Sequence, residues 1–190
     1  MQTDAIVLRR IPWREHDQLV VLYSRQFGKT AAIARGSLRA SSRQAPALDD
    51  GNHIVCRLVP GRSGTAIMTG AQAHRAWAAA KGDGLRWAAA QAILQAVDAL
   101  CFDGQPDAGV WDALTDALHG LDRADAQPVG LMRRAQAALL AALGHGAGPL
   151  PPPHPGRSAL DDACERIAER ALDGPSLVYC LARPSRAVLE

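Results

Sequence analysis

The chain has little of what metal, redox and membrane proteins need. Its four cysteines, Cys56, Cys101, Cys164 and Cys180, stand singly, with none of the C-x-x-C pairing of a structural zinc site or a dithiol redox motif. They are expected as buried or idle reduced thiols. No apolar run approaches the roughly 20 residues that span a bilayer, and no basic stretch followed by an apolar core and a cleavage site opens the chain. A cytoplasmic protein with no membrane contact is the expectation. Phe27-Gly28-Lys29-Thr30 ends like a phosphate-binding P-loop, but that motif needs a glycine at the position held by Tyr23. Gly28-Lys29 therefore reads as a tight turn, with Lys29 exposed at the start of a strand. His53, His74, His119, His145 and His154 have no neighbours spaced as metal ligands, and His16 lies between Glu15 and Asp17 on an extended segment. No catalytic pair stands out.

What the chain does have is charge asymmetry. Of 190 residues, the first 80 carry 11 Lys plus Arg against 5 Asp plus Glu, a net of +6; the remainder carry 10 against 14, a net of −4, consistent with the overall +2. A basic segment joined to an acidic one points to a polyanion for the first and to solvent or a protein for the second.

The periodicity changes at about the same place. Asp4 to Ile11, Gln18 to Ser24, Lys29 to Gly36, Asn52 to Pro60 and Thr65 to Thr69 read as five short strands, separated by Gly28, by Asp49-Asp50-Gly51-Asn52 and by Pro60-Gly61-Arg62-Ser63-Gly64. Five short strands with glycine punctuation suit a small closed barrel, for which the five-stranded oligonucleotide-binding (OB) fold is the usual architecture. From residue 74 onward helical spacing takes over. Leu85 to Leu100, Val110 to Leu121 and Met132 to Leu143 carry apolar residues at that spacing, with Asp107 or Pro106 entering the second helix and Gly144 closing the third. A last helix is expected from about Ala159, entered at Ser158, to Leu172. The expected organisation is an α+β protein: an OB barrel over residues 1–76, then a helical domain over 77–190 with a proline-rich connector at 145–156.

The basic residues of the first part crowd together. Arg9, Arg10, Arg14, Arg25, Lys29, Arg35, Arg39 and Arg43 fall within 35 residues, and most are arginine, whose planar fork matches phosphate oxygens. Gly36 to Arg43 reads as a flexible Gly/Ser loop with two arginines, able to fold over a nucleic-acid backbone. The candidate DNA-binding residues are Arg14, Lys29, Arg35, Arg39 and Arg43. Aromatics make up only 4% of the chain. Near the cluster stand Trp13, Tyr23 and Phe27, the last two expected in the core, so a grip on phosphates without sequence preference is expected rather than base stacking.

Ala5-Ile6-Val7-Leu8-Arg9, Glu15-x-Asp17-x-Leu19-Val20-x-Leu22-Tyr23-Ser24, Phe27-Gly28-Lys29, Ala34-Arg35-Gly36-x-x-Arg39 and Ser42-Arg43 occur in that order. Together they resemble the N-terminal signature of the bacterial RecO recombination mediator family. The resemblance is clear over roughly residues 4–60, weaker to about Trp77, and beyond that one of order and helix content. It implies an OB barrel followed by helices and a non-enzymatic role: binding single- and double-stranded DNA, annealing complementary strands, and helping load a recombinase onto DNA coated with single-strand-binding protein, together with a RecR-type partner. Many members carry a four-cysteine zinc site after a helix ending in Leu-Gly. Leu143-Gly144-His145 is similar to that point, but prolines stand where the cysteines would be, so no metal or other cofactor is expected. Arg133 and Arg134, beside Leu131 and Met132, form a basic and apolar patch that could take the acidic, hydrophobic tail of single-strand-binding protein. The alternative is a protein-interaction scaffold whose barrel does not bind DNA; an enzyme assembled from distant residues is the weaker rival.

Overall fold

The computed structural model describes residues 1–61, 64–145 and 159–168. Five strands, β1 (Gln2–Pro12), β2 (Gln18–Ser24), β3 (Gly28–Ala34), β4 (His53–Val59) and β5 (Ala66–Arg75), close a barrel in the order β1-β2-β3-β5-β4, with β4 returning to β1. All neighbours are antiparallel except β3 and β5, which run parallel with Ile33 opposite Ile67. This is the OB fold. A 3₁₀ turn at Ala45–Leu48 plugs the interior with Ala47 and Leu48. β5 runs six residues past the expected Thr69, because pairing with β4 continues to His53 opposite Arg75 although the outward residues there are exposed.

Strand alternation gives the barrel two apolar faces. Ala5, Val7, Val20, Leu22, Ala32 and Ala34 point inward, while Ile6, Leu8, Val21 and Tyr23 point outward into a second core built with the helices. A bulge between Val7 and Arg9 bends β1. It leaves Leu8 in the helical core and directs Arg9 to the same side, where Nε donates to Asp98 Oδ2 at 2.8 Å.

The helices are α1 (Ala78–Lys81), α2 (Gly84–Leu100), α3 (Ala108–Leu121), α4 (Pro128–Ala142) and α5 (Ala159–Ala168). Two entries are capped by aspartate: Asp83 accepts from the Leu85 and Arg86 amides, and Asp107 Oδ1 accepts from the Val110 amide. Gly144, at φ 79°, takes the left-handed conformation expected after the third long helix. α2 is buried on nearly every side, and its many alanines let the barrel, α3 and α4 approach it closely. α5 joins this body through Ala163, Cys164 and a buried hydrogen bond from Gln136 to Asp161. The proline-rich connector beyond His145, the expected end of the last helix near Leu172, and Cys180 lie outside the described residues.

Three contacts fasten the helices to the barrel. Asp98 on α2, almost buried, receives Arg9, and its backbone carbonyl accepts from Lys29 Nζ at 2.7 Å. Gly28, at φ 67°, is pressed against the α2–α3 loop so closely that a Cβ would lie 2.2 Å from the Gln105 carbonyl oxygen. Tyr23, its hydroxyl pushed up to about 12 by burial, accepts from the Asp107 amide and donates to its carbonyl. At the junction, Trp77 adopts a left-handed backbone (φ 52°) while its indole donates to the Gly51 carbonyl at 2.8 Å, and the His119 ring meets it edge-on. Nearby, His53 lies against His74 and Trp111, with Asp4 Oδ1 3.4 Å from its Nε2.

Two outcomes follow for this junction. Replacing Asp98 with alanine removes the acceptor of Arg9 and a carboxylate 3.9 Å from Lys29, which keeps the backbone carbonyl and Asp103; with Arg9 nearly half exposed, this should cost about 1 kcal/mol in denaturant unfolding. Burial, then the neighbouring His74, lowers the pKa of His53 from 6.5. The unfolded chain therefore binds that proton more readily, so the contribution is intact above pH 6.5 and fades as pH falls below it. His53→Gln should flatten the stability profile on the acid side, read as thermal midpoints between pH 7 and 5.

Candidate nucleic-acid interface

β1 ends at Pro12 and β2 begins at Gln18, so Trp13 to Asp17 form the first loop at one end of the barrel. This loop is held from both sides. The Trp13 amide donates to the Asp17 carbonyl at 3.0 Å, and Arg14 and Asp17 exchange backbone hydrogen bonds at 3.4 Å. From the other side, the Gly36 amide donates to Asp17 Oδ1 at 2.8 Å and the Leu38 amide to the His16 carbonyl at 3.0 Å.

The Gly36 to Arg43 segment is folded rather than flexible. Two successive turns close it, from the Arg39 amide to the Gly36 carbonyl and from the Ser42 amide to the Arg39 carbonyl. Ser37 is buried with its hydroxyl donating to the Ala34 carbonyl, and Gln44 Nε2 reaches the Arg35 carbonyl. Gly36 takes φ 62°, and the Arg39 side chain lies alongside it. Of the serines that suggest mobility in the sequence, Ser37 thus satisfies a backbone group instead.

Between the first loop and the β4–β5 connection runs an open groove of about 600 Å³, lined by Trp13, Arg14, Asp17, Ile33, Arg35, Pro60, Gly61, Thr65 and Ile67. In OB folds the face of strands 2 and 3 with the loops after strands 1 and 4 is the oligonucleotide-binding surface. The floor is apolar, because Ile33 and Ile67 point out of the barrel where none of the described helices covers them. Gly61 is required at the rim, since a Cβ there would strike the Thr65 carbonyl oxygen. Arg14 and Arg35 are exposed, and neither is in an ion pair with a described residue. Trp13 is 52% exposed, while Tyr23 is buried and Phe27 half-buried. The arrangement offers guanidinium forks for phosphate oxygens above an apolar floor, with one indole beside them.

The five candidate DNA-binding residues divide. Arg14 and Arg35 share the groove; Arg39 and Arg43 are exposed on the folded loop that follows Arg35. Lys29 does not join them. It lies six residues before Arg35, about 20 Å along the strand, at the opposite end of the barrel, with 16% of its side chain exposed. There its ammonium reaches the Asp98 carbonyl and lies 3.6 Å from Asp103, and its own carbonyl accepts from the Gly104 amide. The expected exposure of Lys29 is corrected: the turn that carries it is covered by the α2–α3 loop. Arg9 and Arg10 are likewise engaged, with Asp98 and with Asp49 and Asp50. Sequence reasoning passed over Trp13 as a contact and treated Pro60-Gly61 as a turn alone. The available signal was an aromatic directly after the last residue of β1, where a strand-to-loop transition exposes it.

On the helical side, Arg133 and Arg134 lie on the exposed face of α4. Arg134 borders a shallow, largely apolar depression of about 250 Å³ between α3 and α4, with Ala113, Asp116, Ala117, Leu131, Ala135 and Ala138. Cys56 and Cys101 are buried, with thiols pushed up to about 11, and Cys164 is buried with its thiol pushed up to about 12. Among the described residues no three His, Cys, Asp or Glu side chains come together as a metal would need, and no helix is long and apolar enough to cross a membrane.

Residues 1–75 match the family model described as Recombination protein O N terminal. A DNA repair protein RecO from Geobacter metallireducens is 31% identical over 127 residues, covering 67% of this chain and 52% of that protein. The chain belongs to the RecO family. Relatives of the same name from Symbiobacterium thermophilum (31% over 141 residues, 74% of this chain and 55% of the relative) and Myxococcus xanthus (31% over 148 residues, 78% and 59%) agree with it. The chain thus spans a little over half the length of these RecO relatives. The family match covers the whole barrel and its groove.

Asp17 ties the two RecO loops together, so Asp17→Ala should release the Gly36 amide. Hydrogen exchange at Gly36 and Leu38 should accelerate, with about 1 kcal/mol lost in global stability; unchanged exchange at both amides would contradict this role.

Proposed function

We propose that this chain binds DNA through its barrel and acts as a recombination mediator in DNA repair. In this reading it anneals complementary strands and helps load a recombinase onto DNA coated with single-strand-binding protein. The observation that carries the proposal is the pair of open arginines, Arg14 and Arg35, over an uncovered apolar floor at the oligonucleotide-binding position of the fold. The curated relatives, each named a DNA repair protein, point the same way.

Annealing needs no chemistry on the strand. Two complementary strands repel through their phosphates, and a basic surface that holds one backbone lowers that repulsion for the second. Arg39 and Arg43, exposed beside the groove, extend the surface in that direction. The role is non-enzymatic, needs no cofactor and is exercised in the cytoplasm at the nucleoid. On the helical side, the depression beside Arg134 is apolar with a cation at its edge, which suits the acidic, hydrophobic tail of single-strand-binding protein. A RecR-type protein is the further partner in this reading.

A salt titration with a labelled single strand tests the reading. Affinity should fall with salt at a log-log slope of roughly 0.7 per phosphate contact. The triple variant Arg35→Ala, Arg39→Ala, Arg43→Ala should lower both affinity and the slope while leaving the thermal midpoint within a few degrees. Lys29→Ala should do the reverse, lowering stability with little change in affinity. Absence of binding even at low salt would reject the DNA reading and leave the scaffold alternative.

A further inference from the structure

Trp13 is half exposed, on a loop whose backbone is fixed by four hydrogen bonds and whose position against Gly36 is set by Asp17. An indole left half in water gains less for the fold than a buried one, and Trp13 belongs to neither apolar core. The other tryptophans all serve the packing: Trp77 and Trp111 are buried, and Trp87 packs against the helical core.

Its surroundings specify a ligand. Trp13 lines the groove beside Arg14 and Arg35, above Ile33 and Ile67, and the one carboxylate there, Asp17, already accepts from the Gly36 amide. Indole, isoleucine and guanidinium in one concavity match the flat apolar base, the sugar and the phosphate of a nucleotide. An anionic peptide would use the arginines but leave the indole without a planar partner.

We propose that Trp13 is a stacking platform for an unpaired base of the strand whose phosphates Arg14 and Arg35 hold, so that this groove selects single-stranded over duplex DNA. The inference rests on the DNA-binding reading of the barrel and adds its selectivity. A base inside a duplex has both faces covered by its neighbours and reaches an outside ring only at the cost of unstacking. A base in a single strand has a face to offer, and stacking of this kind tolerates any sequence. A loop already fixed in place loses little freedom on binding.

The test compares a short labelled oligothymidylate, the same backbone with abasic sites, and a duplex, at one low salt concentration. The native chain should bind oligothymidylate more tightly than the abasic strand, with tryptophan fluorescence quenched by the first only. Trp13→Ala should weaken oligothymidylate binding about tenfold, the factor that 1.4 kcal/mol of stacking supplies, while leaving abasic and duplex affinities unchanged. Trp13→Phe should retain most of the affinity and lose the quenching. Because the side chain is outside both cores, the thermal midpoint should hold in either variant; if Trp13→Ala fails to fold, Trp13→Phe and the quenching comparison decide. Equal losses on all three ligands, or none on any, would overturn the stacking role and leave the barrel's grip on phosphate intact. Failure of the native chain to bind any of the three would overturn both.

Discussion

Everything in this molecule depends on the outward apolar stripe of β1 and β2. Ile6, Leu8, Val21 and Tyr23 face away from the barrel interior and would be exposed if the barrel stood alone. Four large side chains of that kind represent several kcal/mol of burial, and α2 and α3 provide the cover. The helices are therefore a second wall of the barrel. Asp98 sits at this seam and receives cations from both β1 and β3, which fixes where α2 lies along the strands.

Covering one half of the barrel's outside defines what is left. Ala31 on β3 packs against the helical core, yet Ile33, two residues on and pointing the same way, lines the open groove. The edge of the helical wall falls between them. The same division sorts the basic residues: Arg9 at the rim of the wall and Lys29 beneath it hold it, whereas Arg14, Arg35, Arg39 and Arg43 lie beyond it and remain open. One cluster in the sequence thus separates in space into a structural set and a surface set.

This separation is why the fold was more legible than the site. Strand number and approximate bounds could be read because glycine turns and apolar runs are local properties, and Asp107 and Gly144 announced the ends of their helices directly. Runs such as Val20 to Tyr23, apolar at every position, left the facing of each strand open, since both faces are buried against different cores. The fate of Lys29 depended on Asp98, sixty-nine residues away, and no local pattern carries that. β5 beyond Thr69 and the four-residue α1 were equally hidden: the first exists because β4 lies beside it, the second because the Lys81 amide donates to the Trp77 carbonyl and Asp122 receives the Ala79 and Ala80 amides. Trp13 was visible, but its exposure follows from a loop that Gly36, just past the end of neighbouring β3, holds through Asp17.

The closure of the barrel also imposes an order of assembly. β1, β2 and β3 meet through short connections and can pair as soon as they are made, whereas the second edge of β1 must wait for β4, joining residues as far apart as Gln2 and Arg57. Ile67, half of the groove floor, arrives only with β5, which closes the ring against β3. On a chain emerging from the ribosome, the early hairpin would display Val21 and Tyr23 to solvent until α2 and α3 follow. The open groove is thus completed only when the ring closes, while the apolar surface most prone to sticking forms first.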